Sequence, residues 1–359
     1  PASLAWRNHP KLEAQNGPIL GQLAEDLIRS LPEKPSIVIT EDPALSMILQ
    51  AGLRRNPASP RHALIQTRSA ILPEYRQQLP DRYGAEFPEL VNFARAETNV
   101  AGVFLDLLST KAREGRAYYL NPPVFDPRTT FLLESLRTRP QGLIHAIEPY
   151  DKGQISPPPL SKAQADRVLN EWKGRTDLVR RITNSASVKA LTVEIAANIY
   201  SRAANANGVE LQRAGRLPDA GYLFQVAREL VPANAAAEVN AAVNAALQAN
   251  KPISADVQKP LSGLPPLALI EHFGPVDEPG FLSSLALVLA QADTPLARAS
   301  AVASSRALIV FALSLSLATV PAKFWSRFCT MRFVENTLLR KSSSPPPPLG
   351  PADAQPGNT

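Results

Sequence analysis

Cysteine is almost absent: Cys329 is the only one in 359 residues. That excludes an intramolecular disulfide, a cysteine-rich zinc site and dithiol redox chemistry, but it fixes no compartment, because many exported proteins also lack cysteine. Glycine is scarce, at 17 residues, and charged residues make up only 19%. Lys+Arg 38 against Asp+Glu 32 leaves +6, too little and too evenly spread for a nucleic-acid groove. No Gly-x-Gly-x-x-Gly turn or phosphate loop follows any strand pattern, so no cofactor is expected. The four histidines, His9, His62, His145 and His272, are far apart and lack His-x-x-x-His or His-x-x-Glu-His spacing, so no metal site is expected either. The chain starts at Pro1 with neither an initiator methionine nor a basic-plus-apolar leader, and is expected to be a piece of something longer.

Hydrophobic residues reach 45% and prolines number 35, the latter about twice the average share. A collapsed interior built from short, proline-punctuated elements follows, and the length favours two or more packed units. Strand patterns fall at 36–40, 63–67 and 116–120, with 142–147 as a last strand on the sheet edge. Between them lie helical patterns at 44–54, 73–83 and 88–113. Strands alternating with helices predict a small α/β domain over 19–150 with a short, mainly parallel sheet. A proline-rich connector with helices occupies 151–187, where consecutive prolines favour extended chain. From 188 to 322 the pattern is all-helical, so the fold class is α+β overall. The serine- and proline-rich tail, 342–359, is expected to be disordered.

The most informative spacing is Gly208, Gly215, Ala220, Phe224, Ala227 and Pro232. It matches the small–aromatic–proline ladder of a tetratricopeptide repeat, a pair of antiparallel helices. Gly208 lacks a side chain where the helices cross, Ala220 keeps them close, Phe224 fills the groove, and Pro232 stops the second helix. One repeat cannot close its own core. The stretch 235–247 therefore reads as the first helix of a second repeat, with a further, degenerate hairpin at 281–291 and 297–305.

Gly208–Leu217, Gly274–Pro279 and Ile37–Pro43 together resemble the soluble C-terminal region of bacterial polytopic membrane proteins related to the protein O-mannosyltransferases, over roughly 19–297. In that family a bundle of membrane helices carries the lipid-linked-sugar chemistry, and an exoplasmic α/β piece with tetratricopeptide repeats follows. The resemblance implies a non-catalytic exoplasmic or periplasmic region of a glycosyltransferase-like protein, joined to the membrane by a preceding half. No motif of the catalytic half is present, so no catalytic residue carries over. Alternatives are a free-standing repeat scaffold, which would suit the cytoplasm, and an enzyme with its site above the α/β strands.

The groove of such repeats is lined from the first helix, where Arg202, Asn205, Gln212 and Arg213 stand at the matching positions. Long donors on a concave wall suit an acidic polypeptide partner; the plainer alternative is a solvated face. Glu41 and Asp42 follow the first strand, where α/β sheets bind ligands, but helix capping is their expected role. Asp277 and Glu278, between Pro275 and Pro279, are expected to form a rigid loop or helix start. The uncharged run 307–322 falls short of the about twenty residues that a bilayer span needs. A buried terminal helix is expected there, with a membrane helix as the rival.

Overall fold

The computed structural model describes residues 18–56, 58–121, 132, 135–150, 158–185, 190–263 and 266–291. The segments 297–305, 307–322 and 342–359 lie outside the described residues. Helix α1 (Ile19–Ser30) presents Ile19, Leu23 and Leu27 on one buried stripe. Strand β1 (Ile37–Thr40), fully buried, then enters the interior of a five-stranded sheet. It pairs in parallel with β2 (Ala63–Gln66) and β3 (Ala117–Tyr119). The crossovers are α2 (Pro43–Arg55) and then α3 (Pro73–Tyr83), α4 (Leu90–Ala94) and α5 (Val100–Arg113).

Alternate strand residues serve two cores, as the period of two requires. Ile37, Ile39, Ile65 and Tyr119 meet Phe87, Phe93, Phe104 and Leu108 on one face. Val38, Leu64 and Tyr118 meet Leu23 and Leu27 of α1 and Leu45 and Leu49 of α2 on the other.

Two observations correct the sequence expectation. The sheet is mixed, not mainly parallel: β5 (Ile144–Pro149) lies inside it, antiparallel to β3, and the edge belongs to β4 (Leu136–Gln141). In β4 an arginine-, proline- and glutamine-rich stretch carries almost no apolar signal. It is held by the two-residue turn at Gly142 and Leu143, with Gly142 at φ +60°, and Pro140 is tolerated because the strand is an edge. The second correction concerns 88–113, which is two helices. Asn99, in the left-handed region at φ 50°, breaks the run and caps α5 by accepting from the Gly102 N–H at 3.2 Å.

The second half is helical: α6 (Lys162–Lys173), α7 (Thr176–Ser185), α8 (Leu191–Arg213), α9 (Leu217–Leu230), α10 (Ala235–Gln248), a 3₁₀ turn (Ala255–Leu261), α11 (Pro266–Phe273) and α12 (Pro279–Gln291). Helices α8 and α9 make a tight hairpin. A Cβ on Gly208 would lie 2.6 Å from the Phe224 ring, so only glycine admits this approach. Gly215, at φ +73°, ends α8: its N–H donates to Gln212 O and that of Arg216 to Leu211 O, both at 2.9 Å, closing a Schellman motif. Ala220, Phe224 and Ala227 are wholly buried, and Pro232 sits in the exposed turn after α9. Beyond α10 come the 3₁₀ turn and the short α11, so among the described residues only α8 and α9 carry the full ladder of spacings.

The junction placed at 150/151 is not a break in the packing. Leu23 and Leu27 of α1 share one core with Trp172, Ile182, Tyr200 and Phe224. At its centre the Asp26 carboxylate, 1% exposed, accepts from Tyr200 Oη at 2.8 Å, Arg175 Nε at 3.2 Å and Arg29 at 2.7 Å. Replacing Gly208 by Ala should lower the urea unfolding free energy by about 1–3 kcal/mol. Adding Phe224→Leu, which trims the opposing ring, should recover part of that loss; strictly additive effects would show that the two positions do not share the contact.

Candidate functional site

Helices α8 and α10 form a groove, and the chain fills it with its own segment Gly274–Glu278, the strap between α11 and α12. Gly274, at φ +86°, turns the backbone out of α11 and lets the strap approach, since a Cβ there would lie 3.3 Å from both Arg202 and Asn205. Asn205 Nδ2 donates to the carbonyls of Phe273 at 3.0 Å and Pro275 at 2.9 Å. Asn240 Nδ2 donates to Pro275 O at 2.9 Å and to Asn205 Oδ1 at 2.8 Å, while its Oδ1 accepts the Asp277 N–H at 2.7 Å. Two asparagines, one per helix, thus read an extended main chain irrespective of its side chains.

The acid of the strap is also held. Asp277, 2% exposed, accepts from Gln212 Nε2 at 3.0 Å and from Arg213 at 3.1 Å. Asn244 steadies Gln212 by donating to its Oε1 at 3.1 Å. Burial opposes the Arg213 charge, but Asp277 and Glu210 beside it outweigh that, and its pKa is raised. Glu278 caps α12, accepting the N–H groups of Gly280 at 3.0 Å and Phe281 at 2.6 Å, and takes Gln258 Nε2 at 2.7 Å. Of the paired acids, one is therefore an ion-pair partner and the other a helix cap.

Arg202, at the Gly274 end of the groove, lies within electrostatic reach of Asp42, after β1, and of His145 on β5. Burial lowers the pKa of Arg202 to about 10, against the opposing pull of Glu271 and Asp42. His145 is lowered to about 3 by burial and then by Arg202, so its ring is neutral at physiological pH. Asp42 caps α2, its Oδ1 accepting from the N–H groups of Ala44 at 2.9 Å and Leu45 at 3.1 Å. Glu41 does not cap; it accepts from Tyr119 Oη at 2.9 Å and lies 3.9 Å from Arg68 Nε.

No protein-family model, curated protein or solved structure matches the chain. Among the described residues no cluster of three or more His, Cys, Asp or Glu could hold a metal ion, and no helix is long and apolar enough to cross a membrane.

All four groove candidates fall on α8. Asn205, Gln212 and Arg213 touch the strap through hydrogen bonds, and Arg202 packs on Gly274. Sequence reading missed Asn240 and Asn244. The signal was present: asparagine disfavours helix interiors, so its recurrence in an alanine-rich helix, with Asn240 35 residues from Asn205, marks buried polar contacts.

Truncating Asn240 to Ala strands Asn205 Oδ1 and the Asp277 N–H, and should cost about 2–3 kcal/mol and open 273–279 to limited proteolysis; wild-type resistance would count against this anchoring. Two desolvated histidines set an acid response. His145 is held near 3 and His62 near 4 against an ordinary 6.5, so the unfolded chain takes up protons first, and stability falls as pH drops from 6.5 towards 3. His145→Gln should flatten the Tm decline between about pH 6.5 and 4, measured by thermal melts.

Proposed function

We propose that this chain is a non-catalytic, polypeptide-binding region: the exoplasmic part of a membrane-bound glycosyltransferase-like protein related to the protein O-mannosyltransferases. Its groove, built on a tetratricopeptide-type hairpin, holds an extended acidic stretch of an acceptor or partner polypeptide. The observation that carries this reading is the recognition of main-chain groups by Asn205 and Asn240, with Gln212 and Arg213 waiting for a carboxylate two residues beyond the second carbonyl. The strap occupies that position and acts as a built-in competitor. Two of the three stretches that carry the family resemblance are joined here, Gly208–Leu217 and Gly274–Pro279, through Gln212, Arg213 and Asp277.

A catalytic reading draws on the cluster of Glu41, Tyr119, His145 and Arg202 at the strand ends. A histidine held near 3 is poorly matched to proton transfer at neutral pH, which favours binding over chemistry. Reading the DNA upstream of Pro1 separates the membrane context from a free-standing scaffold: hydrophobic spans are expected, and a start codon alone would favour the scaffold.

The binding itself is testable with a fluorescent peptide of sequence Phe273–Pro279. A chain loosened by Val276→Gly and Asp277→Gly should bind it saturably, and adding Asn205→Ala should weaken binding about tenfold or more. Wild type should bind more weakly, because a tethered strap competes at a roughly millimolar effective concentration. A loosened chain that keeps its circular dichroism yet binds no peptide would sink the reading.

A further inference from the structure

A cavity of about 690 Å³ opens at the amino end of β2, the opposite end of the parallel strands from Glu41 and Asp42. Its size lies within the range of small-molecule sites. Arg54 comes from the last turn of α2, Arg61 from the connection before β2, and Arg82 from the last turn of α3. Among the described residues no carboxylate lines the cavity. Among the described residues Arg54 and Arg82 form no ion pair, and Arg61 has only Glu86, at 3.9 Å.

The two helix ends account for part of this pattern, since basic residues in a last turn offset the negative end of the dipole. They do not account for all of it. Each helix end carries the equivalent of about half a negative charge, so together they cancel one of the three guanidinium charges. Glu86 cancels a second, and the cavity stays positive. Arg61, on neither helix, has no dipole to serve.

The wall also holds neutral polar groups suited to an organic body: Gln50, His62 and Tyr83. His62 is 3% exposed and its Nδ1 is shut off from solvent, so the ring packs into the wall. Burial lowers the His62 pKa to about 4. The ring is therefore a neutral hydrogen-bonding group, and the guanidinium groups supply the charge.

We propose that this cavity binds a phosphate-bearing small molecule, with the phosphate held by Arg54, Arg61 and Arg82 and a polar body lying against Gln50, His62 and Tyr83. Planar guanidinium groups match phosphate oxygens in bidentate pairs, and three converging on one cavity suit a dianion. This site is independent of the groove between α8 and α10, so neither reading depends on the other.

Isothermal titration calorimetry on the full chain at low ionic strength tests it, with inorganic phosphate, glucose 6-phosphate and adenosine monophosphate as probes and glucose as the uncharged control. Saturable heat is expected with phosphate-bearing probes and none with glucose. Tighter binding of the esters would identify an organic phosphate as the ligand, and equal binding of inorganic phosphate would identify the free ion. The double variant Arg54→Ala, Arg82→Ala should lose at least about tenfold in affinity. Both residues are exposed, so the fold should persist, as unchanged circular dichroism would verify. Arg55→Ala, exposed beside Arg54 but outside the cavity wall, should bind as wild type does. No saturable heat with any phosphate probe, or equal affinity in the double variant, would overturn the proposal.

Discussion

The structure depends on one constraint: α8 is closed off from solvent around its whole circumference from 203 to 212. A helix buried on every side must find partners for each of its polar side chains inside the protein, because an unpaired buried group costs about 1–3 kcal/mol. Asn205 turns to the strap and α10, Asn207 donates to Gly142 O in the β4–β5 turn at 2.9 Å, and Gln212 takes Asp277. Those partners belong to the sheet, the neighbouring helix and the strap, so satisfying one helix fixes the register of everything around it.

The same logic runs through the rest of the core. Ser201 donates to Ala227 O at 2.7 Å and accepts from Asn234 at 2.9 Å, tying the last turn of α9 and the cap of α10 to α8. Asp26 gathers Tyr200 and Arg175, and Arg175 also lies 5.2 Å above the Trp172 ring. Such buried charges add little net stability over an apolar core, yet they are costly to break. Here they tie the α/β half to the helical half, which is why the two share one core across a connector that reads as a boundary.

The groove combines two kinds of contact with the strap that fills it. Main-chain recognition by Asn205 and Asn240 does not depend on which side chains pass through, whereas Arg213 and Gln212 select for an acid at one position. The segment Gly274–Glu278 meets both requirements.

Much of this could be read in advance. The apolar runs 36–40, 63–67 and 116–120 specified their strands, because burial on both faces leaves little room but for β-branched and aromatic residues. Gly208 with Phe224 specified the helical hairpin, because a close crossing tolerates no Cβ. Arg202, Asn205, Gln212 and Arg213 were legible as one helix face, because a period of 3.6 follows from local geometry alone. What faces them was not. Local as the β4–β5 turn is, β4 lacks the apolar alternation that would mark it as a strand; setting β5 antiparallel beside β3, bringing the strap over α8 and placing Arg82 by the cavity of Arg54 and Arg61 join residues distant in the chain. Such contacts are chosen by the shape and unmet hydrogen bonds of the assembled core, and no local pattern encodes them.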